Sequence, residues 1–286
     1  MSYRYFIQLS YNGSAYCGWQ KQPNAVSVQL WIEKGLTSIT GIHGGVTGCG
    51  RTDAGVHART FFAHFDSGET LADEALLQLT FRLNRFLPDD ISVLEISPVV
   101  PGAHARFSAT WREYEYLIIR KKDPFSFQKA YLVHGDLDRV AMNASALKLP
   151  GRHDFESFSK VHTDVNNFLC HIEDARWDDD SHFLKFTIRA DRFLRNMVRA
   201  IVGTLLDVGR GKISPDNFQE IIDSRNRCSA GYSVPAKGLT LTGIGYPEEI
   251  FAKEPVYFLP ESGDKIISHY YTDSEFHKRA GNKTNE

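Results

Sequence analysis

No apolar run in this chain of 286 residues approaches the ~20 that a membrane helix needs, so no membrane partner is expected. Met1-Ser2-Tyr3-Arg4-Tyr5 offers no apolar stretch before a small-residue cleavage site, so a secretory leader is not expected either. Cysteine is scarce and scattered: Cys17, Cys49, Cys170 and Cys228 form no CxxC pair. A structural zinc site or disulfide framework is therefore not expected, and free thiols in a reducing cytoplasm are the ordinary reading. None of the eleven histidines takes a metal spacing with a cysteine, so no metal is proposed. A phosphate loop is missing too, because no Lys-Ser/Thr pair follows the glycines at 50 and 55. Strong charge of one sign is also lacking. The formal total of -2, taken alone, argues against a nucleic-acid partner.

What is present is an ordinary globular composition, 42% hydrophobic and 24% charged, long enough for one large domain or two modest ones. Tyr3 to Tyr11 reads as a strand ending at Asn12-Gly13. Ser27 is placed to cap a helix whose apolar stripe is Val28, Ile32, Leu36 and Ile39. Gly-rich sequence from Gly41 to Gly55 precedes a strand over Arg59–Phe65, a helix over Glu74–Phe86 and a strand over Ile91–Ile96. This β-α-β-α-β order, with room for a further strand near Val46, suggests a ferredoxin-like split sheet. The pattern repeats: a strand at Glu113–Ile119, a helix at 138–148, and strands near 168–177 and 183–190. A helix from Arg192 to Val208, a shorter one opening at Ser214-Pro215, and a strand over Thr240–Tyr246 complete it.

The expected fold is thus α+β, with two ferredoxin-like halves, their antiparallel sheets joined side by side and a cleft between them. The first half would span residues 1–103 and the second 104–250, with a polar tail over 251–286. The boundary falls where Pro98, Pro101 and Gly102 cluster.

The stretch with most chemical content is Cys49-Gly50-Arg51-Thr52-Asp53-Ala54-Gly55-Val56-His57-Ala58. Glycines on both sides of Thr52-Asp53 permit a tight, thinly covered turn, from which Arg51 and Asp53 can project into a cleft. There Asp53 could act as nucleophile or base, with the arginine holding an anion or keeping the carboxylate ionised. An ordinary β-turn, with Asp53 bonded to nearby backbone N–H groups, fits the same spacing. Tyr114 alternates with Tyr116 on a strand, which fits core or surface equally well. On a helix over 192–208, Arg192, Arg195 and Arg199 share one sector and Phe193, Met197, Ile201 and Leu205 the opposite one, so the wheel makes Arg199 a solvated residue.

Residues Gly50 to Ala58 resemble the signature of the tRNA pseudouridine synthase A family. The resemblance continues through Tyr11-Asn12-Gly13, Tyr16-Cys17-Gly18-Trp19-Gln20, His104 to Ala109 and Arg112 to Tyr116. It runs on through Gly151 to Phe155 with Ser157-Phe158, then Phe193 with Met197-Val198-Arg199, and Pro235 to Leu239. These motifs stand in family order and leave out only the tail.

The resemblance implies a cofactor-free isomerase that turns uridine into pseudouridine in the tRNA anticodon stem-loop, at positions 38–40. The target base would be flipped out, its N1–C1′ bond broken, and C5 joined to C1′. Asp53 matches the catalytic aspartate, attacking C1′ or removing a ribose proton. Arg51 matches the arginine that aids flipping, and Tyr114 the tyrosine that stacks on the base and relays the C5 proton. Arg199 matches the arginine paired with the aspartate. Arg106 and His104 match contacts to the RNA backbone. His57 reads as loop-ordering and His153-Asp154 as structural. A homodimer and a cytoplasmic location are also implied.

Two other classes remain open from sequence. A single-carboxylate glycoside or nucleoside hydrolase would free uracil, although no second carboxylate sits in a comparable turn. A non-catalytic RNA-binding module would leave the RNA unchanged. Charge distribution fits an RNA partner better than the total does. Residues 173–180 carry a net -4 and 247–286 a net -3, which leaves +5 on the rest, and 185–212 alone carries +5.

Overall fold

The structure, a computed structural model, describes residues 2–160, 167–180 and 182–252. Most of the tail, from 253 to 286, therefore lies outside the described residues, as does most of the acidic stretch at that end.

The first strand, β1 (Tyr3–Tyr11), stops where the Asn12 side chain accepts the Ser14 N–H and turns the backbone. Ser27 caps α1 (Val28–Thr40) by accepting the Leu30 N–H at 3.3 Å, and Gly41 ends it in the left-handed region at φ 71°. Then come β2 (Thr47–Gly48), β3 (His57–Ser67), α2 (Asp73–Phe86) and β4 (Ile91–Pro98). In α2 the stripe Leu76, Leu79 and Leu83 is buried, while Leu77 and Phe81 face outward.

The second half holds β5 (Trp111–Ile119), β6 (Tyr131–Leu132), α3 (Arg139–Ala146), β7 (Gly151–Asp154) and β8 (Leu169–Asp180). After these come β9 (Phe183–Ala190), α4 (Met197–Gly209), α5 (Pro215–Asp223) and β10 (Leu239–Gly245). Ser214 caps α5 with Pro215 at its first position, as its sequence suggests.

The two antiparallel sheets expected side by side are joined into one. All strands join one sheet in the order β4-β1-β3-β10-β5-β9-β8-β7, with β2 added to β3 and β6 to β5. The late strand β10 returns to the middle. It runs antiparallel to β5 and meets β3 in a short parallel pairing, Thr240 with His57 and Leu241 with Ala58. That placement satisfies backbone groups that two separate sheets would leave on open edges.

Two hydrophobic cores remain distinguishable, one under each half. The first also takes in Leu241, Ile244, Tyr246, Ile250 and Phe251 from the chain's end. Tyr246 lies edge-on to Phe6 and Phe62, with ring centres 5.3 and 5.1 Å apart. Phe251 is buried there too, although composition groups it with the polar tail.

The helix expected from Arg192 begins instead at Met197. Asn196 sits in the left-handed region at φ 67°, which breaks any helix continuing through it, and residues 192–196 form a loop. The sector that groups Arg192 and Arg195 with Arg199 therefore does not exist.

Candidate active site

The Gly-rich loop of residues 49–56 leaves the sheet between two strands that share one edge of β3. With β1 on the other edge, β2 pairs at Ala63 and His64, and β10 pairs at His57 and Ala58. Cys49 N–H extends the first pairing to Phe62 O at 2.7 Å.

The loop is pinned from beneath. Thr52 is buried, with its hydroxyl 2.9 Å from the Tyr11 hydroxyl, and its carbonyl accepts the Trp19 N–H at 3.3 Å. Two glycines allow this close approach. A Cβ on Gly18, at φ 100°, would stand 2.2 Å from Thr52 O, and one on Gly13 would stand 2.0 Å from Val56 O. His57 Nδ1 accepts the Gly13 N–H at 3.0 Å, so its Nε2 carries the proton, facing Gln128 O at 2.9 Å and Lys237 O at 3.0 Å. Burial lowers the His57 pKa, which suits this neutral form. Both ring nitrogens are thus engaged in tying loops together.

Directly above Thr52, Asp53 is 29% exposed, and its two oxygens meet two different arginines. Arg199 Nη1 lies 3.3 Å from Oδ2, while Arg199 Nε donates to Val234 O at 2.8 Å and fixes the side chain. Arg199 is 21% exposed, so tertiary packing overrides the solvated placement the wheel gives it. Arg195 Nε lies 3.8 Å from Oδ1 and is 60% exposed. The left-handed turn at Asn196, held by its amide donating to Ser233 Oγ at 2.6 Å, brings these two arginines to one carboxylate.

Tyr114, on β5 one strand beyond β10, is half-buried where the two cores meet and packs against both. Phe193 meets its ring edge-on, with centres 5.2 Å apart. Burial raises the Tyr114 phenol pKa, the charge on Asp53 adding to this, so the hydroxyl stays protonated at neutral pH. Its neighbour Tyr116 is fully buried and donates to Pro235 O at 2.8 Å, the ordinary fate of a core tyrosine.

Arg51 stands exposed on the loop. The exposed Arg106 lies over the Phe107 ring at 5.5 Å. Burial lowers the Arg106 pKa, and so do the like charges of Arg51, Arg112 and Arg192, which places four guanidinium groups in one electrostatic neighbourhood. His104 turns inward. Its Nδ1 accepts the Arg106 and Phe107 N–H groups at 3.1 and 3.3 Å, and its ring packs against His64 and Phe107. It orders the segment that carries Arg106.

Two residues of this site escape sequence reasoning. Arg195 has no spacing signal, because the turn that aims it is set by Asn196. Arg112 donates to Ala109 O at 3.0 Å, Asp191 O at 2.8 Å and Arg106 O at 2.5 Å, and so clamps three segments at the rim.

Fold and site together define a mixed α+β protein with a carboxylate at its centre and arginines around it. A family model described as tRNA pseudouridine synthase matches residues 146–247. A tRNA pseudouridine synthase A of Parabacteroides distasonis is 52% identical over 251 residues, covering 88% of this chain and 99% of that protein. One from Bacteroides thetaiotaomicron is 48% identical, with 91% and 99% covered, and one from Clostridium acetobutylicum is 38% identical, with 84% and 98% covered. The chain belongs to the tRNA pseudouridine synthase A family.

Proposed function

We propose that the chain, an isomerase acting on tRNA by its family membership, converts uridine to pseudouridine in the anticodon stem-loop at positions 38–40, with Asp53 as the catalytic carboxylate. The observation that carries the role of Asp53 is its place on an open glycine turn, with a separate arginine at each carboxylate oxygen.

The target nucleotide is flipped from its stack into the junction between the halves, and Arg51 fills the space it leaves. Asp53 then either bonds to C1′ as the uracil leaves through N1, or takes a ribose proton to give a glycal. On either route the uracil turns and C5 joins C1′. C5 gives up its proton, N1 gains one, and atoms balance as an isomerisation. Arg199, itself fixed by Val234 O, aims Asp53. Tyr114, protonated and half-buried, meets the base as a flat ring with a hydroxyl beside the C5 proton. Arg106 and its neighbouring guanidinium groups meet backbone phosphates, on a segment that His104 holds in shape.

The same proposal takes each half as ferredoxin-like, divided near residue 103. The strand orders β4-β1-β3-β2 and β10-β5-β9-β8 support it, with α1 between β1 and β2, α2 between β3 and β4, α3 between β5 and β8, and α4 and α5 between β9 and β10. It also includes a homodimer, testable by sedimentation, and a cytoplasmic location, which the four free cysteines suit.

The test is to incubate unmodified tRNA with the protein, map pseudouridine by chemical adduct, and weigh the RNA. Conversion at constant RNA mass is expected. Free uracil with a lighter RNA would instead indicate a hydrolase, and binding without change a non-catalytic module. In Asp53→Asn, conversion should fall at least ~10³-fold while tRNA affinity stays within about twofold. Turnover near that of the unaltered protein would remove Asp53 from the mechanism.

A further inference from the structure

The segment joining β5 to β6, Arg120-Lys121-Lys122-Asp123-Pro124-Phe125-Ser126-Phe127-Gln128-Lys129-Ala130, touches the site described above only through the Gln128 carbonyl, and its side chains have no part there. Yet it holds two bare aromatic rings. Phe125 is 94% exposed and Phe127 58%. Among the described residues no ring pairs with either.

The segment is not a loose end. Asp123 Oδ1 accepts the Phe125 N–H at 3.0 Å, and its other oxygen takes the Ser126 hydroxyl. Ser126 O accepts the N–H groups of Lys129 and Ala130 at 2.9 and 3.0 Å, and Ala130 is fully buried. The backbone is thus held in a shape that keeps both rings in water. It is also seated on the catalytic loop, since Gln128 O faces His57 Nε2 at 2.9 Å and His57 lies four residues from Asp53. The charge of Lys129 is felt at His57.

Chemistry identifies the occupant. Lys121 and Lys122 before the rings and Lys129 after them are exposed, while the one acidic group of the segment, Asp123, is used within the turn. Cations flanking flat apolar rings suit a polyanion whose flat groups lie unstacked, which describes single-stranded nucleic acid. Flipping one base out of a stem-loop leaves its neighbours without a stacking partner on one side.

We propose that Phe125 and Phe127 form a stacking platform for unpaired tRNA bases near the uridine being isomerised, with Lys121, Lys122 and Lys129 on the flanking phosphates. The proposal rests on the isomerase reading of the Asp53 site.

The experiment compares the unaltered protein, F125A/F127A, F125Y/F127Y and K121Q/K122Q. It measures tRNA affinity against salt, the single-turnover rate at saturating tRNA, and sedimentation. In F125A/F127A, affinity should weaken about tenfold or more, because aromatic stacking on bases has that reach. Its saturated rate should change less than about twofold and its salt slope should stay the same. F125Y/F127Y should bind like the unaltered protein, since a tyrosine ring also stacks. K121Q/K122Q should flatten the salt slope by about 1.5, by losing two phosphate contacts.

Unchanged affinity in F125A/F127A would overturn the platform. A lower sedimenting mass for that variant would also overturn it and assign the rings to contact between copies of the chain. If the unaltered protein makes no pseudouridine, the isomerase reading fails separately, while the affinity comparison still decides the platform.

Discussion

The connections β2–β3 and β8–β9 occupy equivalent places in the two halves, and they are built in opposite ways. In the second half, β8 runs for twelve residues and only two positions separate Asp180 from Phe183. The joint is spent on pairing, from Ile172 opposite Ala190 to Asp180 opposite Phe183. In the first half, β2 lasts only two residues, Thr47 and Gly48, and eight positions then pass before His57. Those positions hold Arg51 and Asp53. A strand that stops pairing early frees backbone for a loop, and the loop becomes a site only when something else fixes it.

Here Thr52, Gly18, Gly13 and His57 fix the loop, and the second half supplies Tyr114, Arg195 and Arg199 around the carboxylate. One half carries the carboxylate. The other holds it.

The comparison can be broken most sharply at Gly18. Gly18→Ala forces a Cβ to 2.2 Å from Thr52 O at a positive φ, and should cost about 3 kcal/mol or more in thermal or denaturant unfolding. Gly50→Ala, in the same loop but with nothing within 4 Å of its Cβ, should cost less than about 1 kcal/mol. Equal losses would mean that the loop is not pinned at Thr52.

The contribution of the second half is sharpened by comparing the two arginines. Arg199→Ala leaves Asp53 without its fixed partner and should lower the single-turnover rate about 10²-fold. Arg195→Ala removes an exposed, loosely placed cation that solvent screens, and should lower it less than about fivefold. The reverse order would make Arg195 the aiming residue.

An effect spread over pH concerns His64 on β3, whose Nδ1 accepts the Ala105 N–H at 3.1 Å. Burial, and then the charges of Arg4 and His104, push its pKa down from 6.5 to about 4. The native state therefore keeps His64 neutral where the unfolded chain binds a proton. Stability should be full above pH 6.5 and fall toward pH 4, by up to about 1.4 kcal/mol per pH unit. His57 and His104, lowered in the same direction, add to that slope. His64→Asn, which preserves an acceptor at this position, should flatten the unfolding free energy over that window. An unchanged profile would exclude His64 as its source.

Local features were legible because local physics sets them. The Ser27 cap and the Ser214-Pro215 start each depend on a few adjacent residues. The start of α4 was not, since Asn196 is an ordinary helix-compatible residue until Ser233, distant in sequence, holds its side chain. The same step hid Arg195, because a wheel drawn through 196 assigns it the wrong direction. The strand that joins the two sheets was hidden as well, because the alternation of β10 says which faces it buries and nothing about which edges it joins.

By itself, the sequence determined the local elements, the open Gly-rich turn bearing Arg51 and Asp53, and the order of motifs that resembles one family. Their causes lie in φ preferences, capping and apolar period, which act over a few residues. Only the tertiary structure decided that Asp53 faces Arg199 and Arg195 together, that Tyr114 stands half-buried at the meeting of two cores, and that β10 joins two halves into one sheet. Contacts between residues more than a hundred positions apart depend on packing and on the completion of backbone hydrogen bonds, which no local pattern encodes.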